Sequence, residues 1–116
     1  MKTIIAGSRT IMEYALVERT IHESGFAITQ VVCGLARGVD SCGAQWARAH
    51  NIPVIFYPAL WGKYGNRAGM MRNAEMAGYA DALILVWDGQ SKGNSHILAL
   101  ARRRGLRVFK HVTKGL

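Results

Sequence analysis

The stretch Leu83-Ile84-Leu85-Val86-Trp87 is the most hydrophobic run of this 116-residue chain. No side chain in it is polar, so a strand here would be buried on both faces, as the central strands of parallel sheets are. The glycine-rich segment Asp88–Ser95 follows, and a helix is predicted over Ser95–Arg104. A buried strand, a glycine-rich turn and a helix form the repeating unit of a Rossmann-like α/β domain.

The same alternation of apolar runs and amphipathic segments extends along the whole chain. Four further strands are predicted, at Thr3–Ala6, Ile28–Cys33, Val54–Tyr57 and Arg107–Val112. Helices are predicted across Ile11–Ile21 with a stop at Gly25, across Val39–His50, and across Arg67–Ala80. The pattern predicts the α/β class: one Rossmann-like domain over residues 1–116, with a parallel sheet of about five strands and helices on both faces.

Composition narrows the class of protein further. Half of the residues are hydrophobic, which is enough for a real core, yet no apolar stretch approaches the roughly 20 residues of a membrane-spanning helix. The N-terminus has the pattern of a first strand and lacks that of a signal peptide. Cys33 and Cys42 match no zinc or redox spacing. We therefore expect a cytoplasmic protein with reduced thiols, no membrane partner, no metal site and no cofactor.

The chain is strongly basic, with fifteen Lys and Arg residues against seven Asp and Glu and a net charge of +8. Many of the bases lie near the end of the chain, at Arg102, Arg103, Arg104, Arg107, Lys110 and Lys114. This excess favours anionic partners, from nucleotides to nucleic acid. For the run Arg102–Arg104, a solvated helix face is an equally good interpretation.

Ligands of parallel α/β sheets bind outside the carboxyl ends of the strands, so the loops after the first four strands are the candidate site. In the first loop, Gly7 and Ser8 allow a phosphate to approach the backbone, the following helix offers free N–H groups, and Arg9 adds charge. Glycine at such a turn is also common for steric reasons alone.

The second loop, Gly34–Asp40, places Ala36 and a base between Gly34 and Gly38 and ends on an acid. We expect Asp40 to bind a ribose hydroxyl; the alternative is that its side chain caps the following helix.

The third and fourth loops add aromatic, basic and small polar residues. Trp61 and Tyr64 offer faces on which a base can stack, or they pack over the sheet edge, while Arg72 and Asn73 follow one turn into the next helix. The fourth loop has the composition of a phosphate cradle, through Asp88, Gly89, Ser91, Gly93, Asn94 and Ser95. It lacks the glycine spacing and the Lys-Ser/Thr ending of a Walker A loop.

Five ordered segments together resemble one known family. They are Gly7–Arg9, Gly34–Asp40, Trp61–Gly65, Ala68–Met76 and Asp88–Gly93. They are similar to the YspA/YpsA-related branch of the SLOG superfamily, which also groups DprA and the LOG phosphoribohydrolases. The resemblance implies a Rossmannoid fold that binds nucleotides or nucleotide-derived ligands at these loops. LOG enzymes carry a catalytic glutamate after the last glycine-rich loop, where this chain has Gly93-Asn94-Ser95-His96-Ile97 and no carboxylate.

Three functions follow from these residues. The first is the binding or sensing of a nucleotide or nucleotide-derived small molecule. The second is N-glycosidic hydrolysis, which needs a carboxylate, with Asp88 and then Glu75 as the catalytic candidates and Asp40 as a further one. The third is binding of single-stranded DNA, as in DprA. The sequence is also compatible with a homo-oligomer.

Overall fold

The computed structural model describes residues 1–113 and contains a five-stranded parallel sheet. The strands are β1 (Lys2–Gly7), β2 (Gln30–Cys33), β3 (Val54–Phe56), β4 (Ala82–Trp87) and β5 (Arg107–Val112). The helices are α1 (Tyr14–Ser24), α2 (Val39–Ala49), α3 (Trp61–Tyr64), α4 (Ala68–Tyr79) and α5 (Lys92–Arg103), with a 3₁₀ turn at Gly65–Arg67. The predicted fold class is confirmed.

The strands lie in the order β3-β2-β1-β4-β5, and each neighbouring pair is parallel. The chain winds outward from β1 in both directions, so the strand order reverses between β1 and β4. The register pairs Gly7 with Val86, which brings the carboxyl ends of these two strands side by side. A crevice that can take a ligand opens at such a reversal.

Alternate side chains of the interior strands form two core layers. The layer against α4 and α5 contains Ile4, Val32, Leu83, Leu85, Met76 and Ile97. The layer against α1 and α2 contains Ile5, Val31, Ile84, Val86, Val17 and Val39. Because helices cover both faces, every residue of β4 is buried. This explains the uniformly apolar sequence of β4, although the middle position in the sheet belongs to β1.

Several predicted boundaries shift. The first helix does not follow Gly7-Ser8-Arg9 directly, because α1 starts at Tyr14. Helix α5 starts earlier than expected, at Lys92, since the Ser91 hydroxyl accepts a hydrogen bond from the Asn94 N–H (3.5 Å) and acts as the N-cap. The long loop predicted after β3 contains α3 and the 3₁₀ turn. Lys114 lies outside the described residues. Within residues 1–113, no helix has the length and apolarity needed to cross a membrane.

Candidate functional site

Two adjoining clefts open at the carboxyl ends of the strands. The first has a volume of about 400 Å³ and lies at the reversal point between β1 and β4. The second has a volume of about 560 Å³ and lies between the loops that follow β2 and β3. Both volumes fall within the range of roughly 300–1,000 Å³ that is usual for small-molecule sites. The two clefts share four lining residues, Arg9, Thr10, Ala36 and Arg72.

Most of the residues singled out in the sequence converge on these clefts. The first cleft is lined by Gly7, Ser8, Arg9, Ala36, Asp40, Arg72, Asn73, Asp88, Ser91, Gly93 and Asn94. The second adds Gly34 and Trp61. Neither cleft is lined by Gly38, Tyr64, Gly89, Ser95 or Glu75. Glu75 is exposed on α4, so the structure does not bring this catalytic candidate to the site.

The clefts also contain residues that the sequence reasoning missed. Thr10 lines both clefts and directly follows Arg9 in the first loop. Met76 ends the segment Ala68–Met76 that resembles the family but was not predicted as a site residue; it lines the first cleft, one helical turn beyond Arg72 and Asn73. Leu35 lines the second cleft, and no sequence signal marks it.

Ser8 fixes the floor of the first cleft. Its side chain is buried, and its hydroxyl accepts a hydrogen bond from the backbone N–H of Asp88 (3.1 Å). Its own N–H donates to the Val86 carbonyl (3.0 Å), and its carbonyl accepts from the Val39 N–H (3.4 Å). One residue therefore joins the end of β1 to the end of β4 and the start of α2.

Two glycines allow the loops to approach closely, and the atoms packed around each of them explain why a side chain would not fit. Gly38 has a φ of 72°, and a Cβ on it would collide with the backbone of Ser8 and Arg9. A Cβ on Gly34 would lie 2.6 Å from Nη1 of Arg72 and 3.0 Å from Oδ2 of Asp40. Gly34 thus makes room for the Arg72 guanidinium, which is a packing role.

Arg72 connects the two sides of the site. Its Nη1 donates to the Gly34 carbonyl after β2, and its Nε donates to Oδ1 of Asn73 (3.0 Å). Because an arginine Nε can only donate, the amide nitrogen of Asn73 faces the other way. That nitrogen donates to the Gly93 carbonyl (3.4 Å) and to Nδ1 of His96 (3.3 Å). The buried Asn73 thereby positions Arg72 relative to the start of α5.

Asp40 lies beneath the second loop. Gly38 occupies the N-cap position of α2, so the alternative that Asp40 caps this helix is wrong. Its carboxylate turns back and accepts a hydrogen bond from the Ala36 N–H (3.4 Å). Burial raises the pKa of Asp40 to about 6, opposed by the Ala36 hydrogen bond and by the charge of Arg72. A buried carboxyl group of this kind, lining a cleft, is typical of functional sites.

Asp88 is the other carboxylate of the first cleft, and it is exposed. Its Oδ1 accepts hydrogen bonds from the N–H groups of Gln90 (2.9 Å) and Ser91 (3.3 Å), which shapes the turn before α5. The first turn of α5 then presents backbone N–H groups beside the cleft-lining residues Gly93 and Asn94. This helix start favours an anion in the first cleft.

The second cleft has an apolar wall. Trp61, the first residue of α3, is about half exposed, and a Cβ on Gly69 would lie 3.3 Å from its ring. Leu35 is 55% exposed and has a φ of 62°, a conformation that costs energy for a residue with a Cβ. This backbone conformation makes Leu35 a candidate site residue of the second cleft.

The Cys33 thiol lies next to this site but is unsuited to nucleophilic chemistry. It is buried, it donates to the Asp40 carbonyl (3.7 Å), and it accepts from the Leu35 N–H (3.4 Å). Burial raises its pKa to about 11, so it stays protonated near neutral pH. Among the described residues, no group of three or more His, Cys, Asp and Glu side chains could hold a metal ion.

Comparisons with known proteins agree with this architecture. A family model described as the YspA, cpYpsA-related SLOG family matches residues 1–64. The "Gene 61 protein" of Mycobacterium phage D29 is 33% identical over an alignment 120 positions long, which covers 93% of this chain and 94% of that protein. The chain belongs to the YspA, cpYpsA-related SLOG family, and the resemblance inferred from its motifs is confirmed.

A similar solved structure is the X-ray structure of DNA processing protein A (DprA) from Streptococcus pneumoniae. It aligns with a TM-score of 0.77 at 20% identity over 94% of this chain. The aligned region is 49% of the DprA chain, so this protein spans about half its length. At this identity the similarity establishes the shared Rossmann-like fold.

The buried carboxyl group of Asp40 predicts a specific dependence of stability on pH. Its pKa is about 6 in the folded protein and 3.8 without the fold, so the folded state binds more protons between these values. The free energy of unfolding should therefore fall as pH rises from about 4 to 6, and then level off. In Asp40→Asn this decline should be smaller. Urea unfolding at a series of pH values measures it, and parallel curves for the two proteins would contradict the burial argument.

Proposed function

We propose that the protein binds or senses a nucleotide or a nucleotide-derived ligand, with residues 1–116 acting as one nucleotide-binding domain. The phosphate lies in the first cleft and the base in the second. The observation that carries this proposal is the adjacency of two clefts that share Arg9 and Arg72, the first lined by the start of α5 and the second by the ring of Trp61. A nucleotide has the same two parts, an anionic end and a flat aromatic end.

The first cleft supports the phosphate. Backbone N–H groups at the start of α5 and the side chains of Ser91 and Asn94 supply hydrogen-bond donors. Arg9 is exposed at the shared wall, where a guanidinium can make paired hydrogen bonds to phosphate oxygens. The Asp40 carboxyl group lines the same cleft and is suited to a ribose hydroxyl.

The second cleft supports the base. Its apolar wall includes Leu35, Pro58, Ala59 and Trp61. An indole face can stack on any base, and the cations of the shared wall can lie over a π system. Tyr64 was the other stacking candidate, but it lines neither cleft, and the Lys63 ammonium lies 5.2 Å from its ring centre.

Family membership supports the same class of function. The SLOG resemblance implies nucleotides or nucleotide-derived ligands at the glycine-rich loops, and most residues of those loops line the two clefts. DprA is described as a DNA processing protein, which fits a nucleotide-related or DNA-related role.

A second candidate function is hydrolysis of the N-glycosidic bond of a nucleotide. The observation in its favour is that two carboxyl groups with different surroundings, the buried Asp40 and the exposed Asp88, line one cleft. In this reaction water attacks the anomeric carbon as the bond to the base breaks. Asp88 takes a proton from the water, and Asp40, whose pKa is about 6, gives a proton to the departing base.

Substitution of Gly93 tests the phosphate position. A Cβ on Gly93 would meet no atom closer than Ser91 Oγ at 4.0 Å, so Gly93→Val fits the protein but projects from a cleft-lining position. We expect Gly93→Val to abolish binding of nucleoside monophosphates, measured by calorimetry, with the circular dichroism spectrum unchanged. Ser95→Val, on the same helix turn but outside the clefts, is the control. Thermal stabilisation by nucleotides that persists in Gly93→Val would count against the proposal.

The charge requirement is tested at Arg9. A hydrogen bond to a charged group contributes about 1.5–3 kcal/mol, so Arg9→Ala should weaken AMP binding roughly 10- to 100-fold. Alanine at Arg102, Arg103 and Arg104, at the far end of α5, should leave AMP binding nearly unchanged. If the triple variant loses more affinity than Arg9→Ala, the phosphate does not lie in the first cleft.

Catalysis is tested with Asp88→Asn. The amide oxygen can still accept the hydrogen bonds of Gln90 and Ser91, so the turn and the binding of nucleotide should survive while the charge is lost. Release of free base from nucleoside monophosphates, followed by chromatography, should then fall by orders of magnitude. Glu75→Gln is the control, because Glu75 lines neither cleft. Undiminished release in Asp88→Asn excludes this mechanism, and tight binding without any release in the wild type favours a sensor.

A further inference from the structure

The positive charge of the protein is concentrated in its last two elements. Residues 89–116 contain seven of the fifteen Lys and Arg residues and none of the seven Asp and Glu residues. The rest of the chain is therefore nearly neutral, and almost all of the net charge of +8 belongs to α5, β5 and the segments beside them. Six of these seven basic residues are described by the structure, and all six are exposed: Lys92, Arg102, Arg103, Arg104, Arg107 and Lys110.

All of these side chains except that of Lys92, which lies at the cleft end of α5, are placed at one border of the sheet, called here the basic edge. Strand β5 is the last strand of the sheet, and α5 connects it to β4. Arg102, Arg103 and Arg104 lie at the end of α5, next to the start of β5 at Arg107. Lys110 lies further along the strand, about 10 Å from Arg107 at 3.3 Å per residue. Arg107 and Lys110 are an odd number of residues apart, so their side chains leave opposite faces of β5, and the basic edge covers both sides of this border strand.

Ordinary structural roles account for only part of the positive charge on the basic edge. Cations in the last turn of a helix stabilise its dipole, which applies to Arg102 and Arg103. Charged side chains on an edge strand also discourage pairing with another sheet, which applies to Arg107 and Lys110. Neither role requires that acids be absent from every position after Asp88, and both are compatible with mixed charges.

We propose that the basic edge binds the sugar-phosphate backbone of a nucleic acid duplex. Four of its five cations are arginine, whose planar guanidinium matches phosphate oxygens better than an ammonium does. A cluster of exposed cations on a segment whose sequence carries no acid is the electrostatic footprint expected of such a surface.

The other anionic partners fit this edge less well. Single strands are bound with aromatic side chains on which the bases stack. The exposed aromatic residues of the described chain are Phe56, Trp61 and Tyr64, which lie on β3 and α3 at the opposite edge of the sheet. Amphipathic helices that bind a membrane surface combine their cations with apolar side chains that insert between lipids. Among residues 89–113, Val112 is the only large apolar side chain that is highly exposed.

The basic edge is separate from the two clefts. Helix α5 begins at the first cleft and has 12 residues, so Arg102–Arg104 lie about 18 Å away along its axis. The cleft and the basic edge therefore serve different ligands, and duplex binding does not depend on the proposed nucleotide site.

The test compares two variants that remove the same amount of charge from the full chain. The edge variant carries Arg102→Gln, Arg103→Gln, Arg107→Gln and Lys110→Gln. The control variant carries Arg19→Gln, Arg48→Gln, Lys63→Gln and Arg67→Gln, which are all exposed and lie outside α5 and β5. Fluorescence anisotropy measures binding to a short labelled DNA duplex, an RNA duplex of equal length and each single strand, between about 50 and 200 mM salt. Circular dichroism verifies that both variants fold.

We expect the wild type to bind duplexes more tightly than single strands. The edge variant should lose at least about 30-fold in duplex affinity. Its plot of log affinity against log salt concentration should become shallower by about 3 to 4, since each phosphate contact contributes about 0.9 to the slope. The duplex affinity of the control variant should stay within about threefold of that of the wild type. AMP binding by the edge variant and duplex binding by Gly93→Val should both be retained, which separates this proposal from the nucleotide site.

Three results would overturn the proposal. Equal losses in the edge and control variants would show that net charge alone drives binding. Tighter binding to single strands than to duplexes would contradict the choice of a duplex backbone. Binding to phosphatidylserine vesicles or to polyglutamate, with none to duplexes, would assign the basic edge to a membrane or to an acidic protein.

Discussion

The site depends first on the hydrogen bonds of Ser8. This buried residue uses its N–H, its carbonyl and its hydroxyl to hold together β1, the turn after β4 and the start of α2. Buried polar groups are costly unless they are paired, so these bonds leave the backbone little freedom where the strand order reverses. A cleft whose floor is fixed in this way can keep the start of α5 pointed at one place, which binding a small anion requires.

A second set of hydrogen bonds crosses the cleft through Arg72 and Asn73. A half-buried guanidinium is expensive to desolvate, and here its cost is offset by hydrogen bonds to the Gly34 carbonyl and to Asn73. The same hydrogen bonds fix the plane of the Arg72 guanidinium, and the plane sets the directions in which its remaining N–H groups point. Arg72 therefore forms the boundary between the two clefts and belongs to both. Asn73, expected from the sequence to contact a ligand, lines the first cleft and also holds this arginine.

The fold was largely predictable because each of its signals is local. The apolar run of β4, the alternation of strands with amphipathic helices and the stop of α1 at Gly25 can all be read within a few residues of the chain. The start of α5 was misplaced because Ser91 and Gly93 have the composition of a loop, and only the hydrogen bond from Asn94 to Ser91 shows that the helix has begun. Gly34 lines the second cleft and also admits the guanidinium of Arg72, a contact that no local signal could predict because the two residues are remote in sequence.

The sequence by itself determined the class of fold, the family and the set of loops that could hold a ligand. It could do so because hydrophobic periodicity and glycine-rich turns are properties of short segments. The tertiary structure decided which residues of those loops meet, because parallel strands bring together segments that are far apart along the chain. It placed Asp40 beneath the second loop and left Glu75 on the outside of α4, although both were plausible acids in the sequence. It also placed Arg102, Arg103 and Arg107 near one another, because β5 returns beside α5 at the border of the sheet.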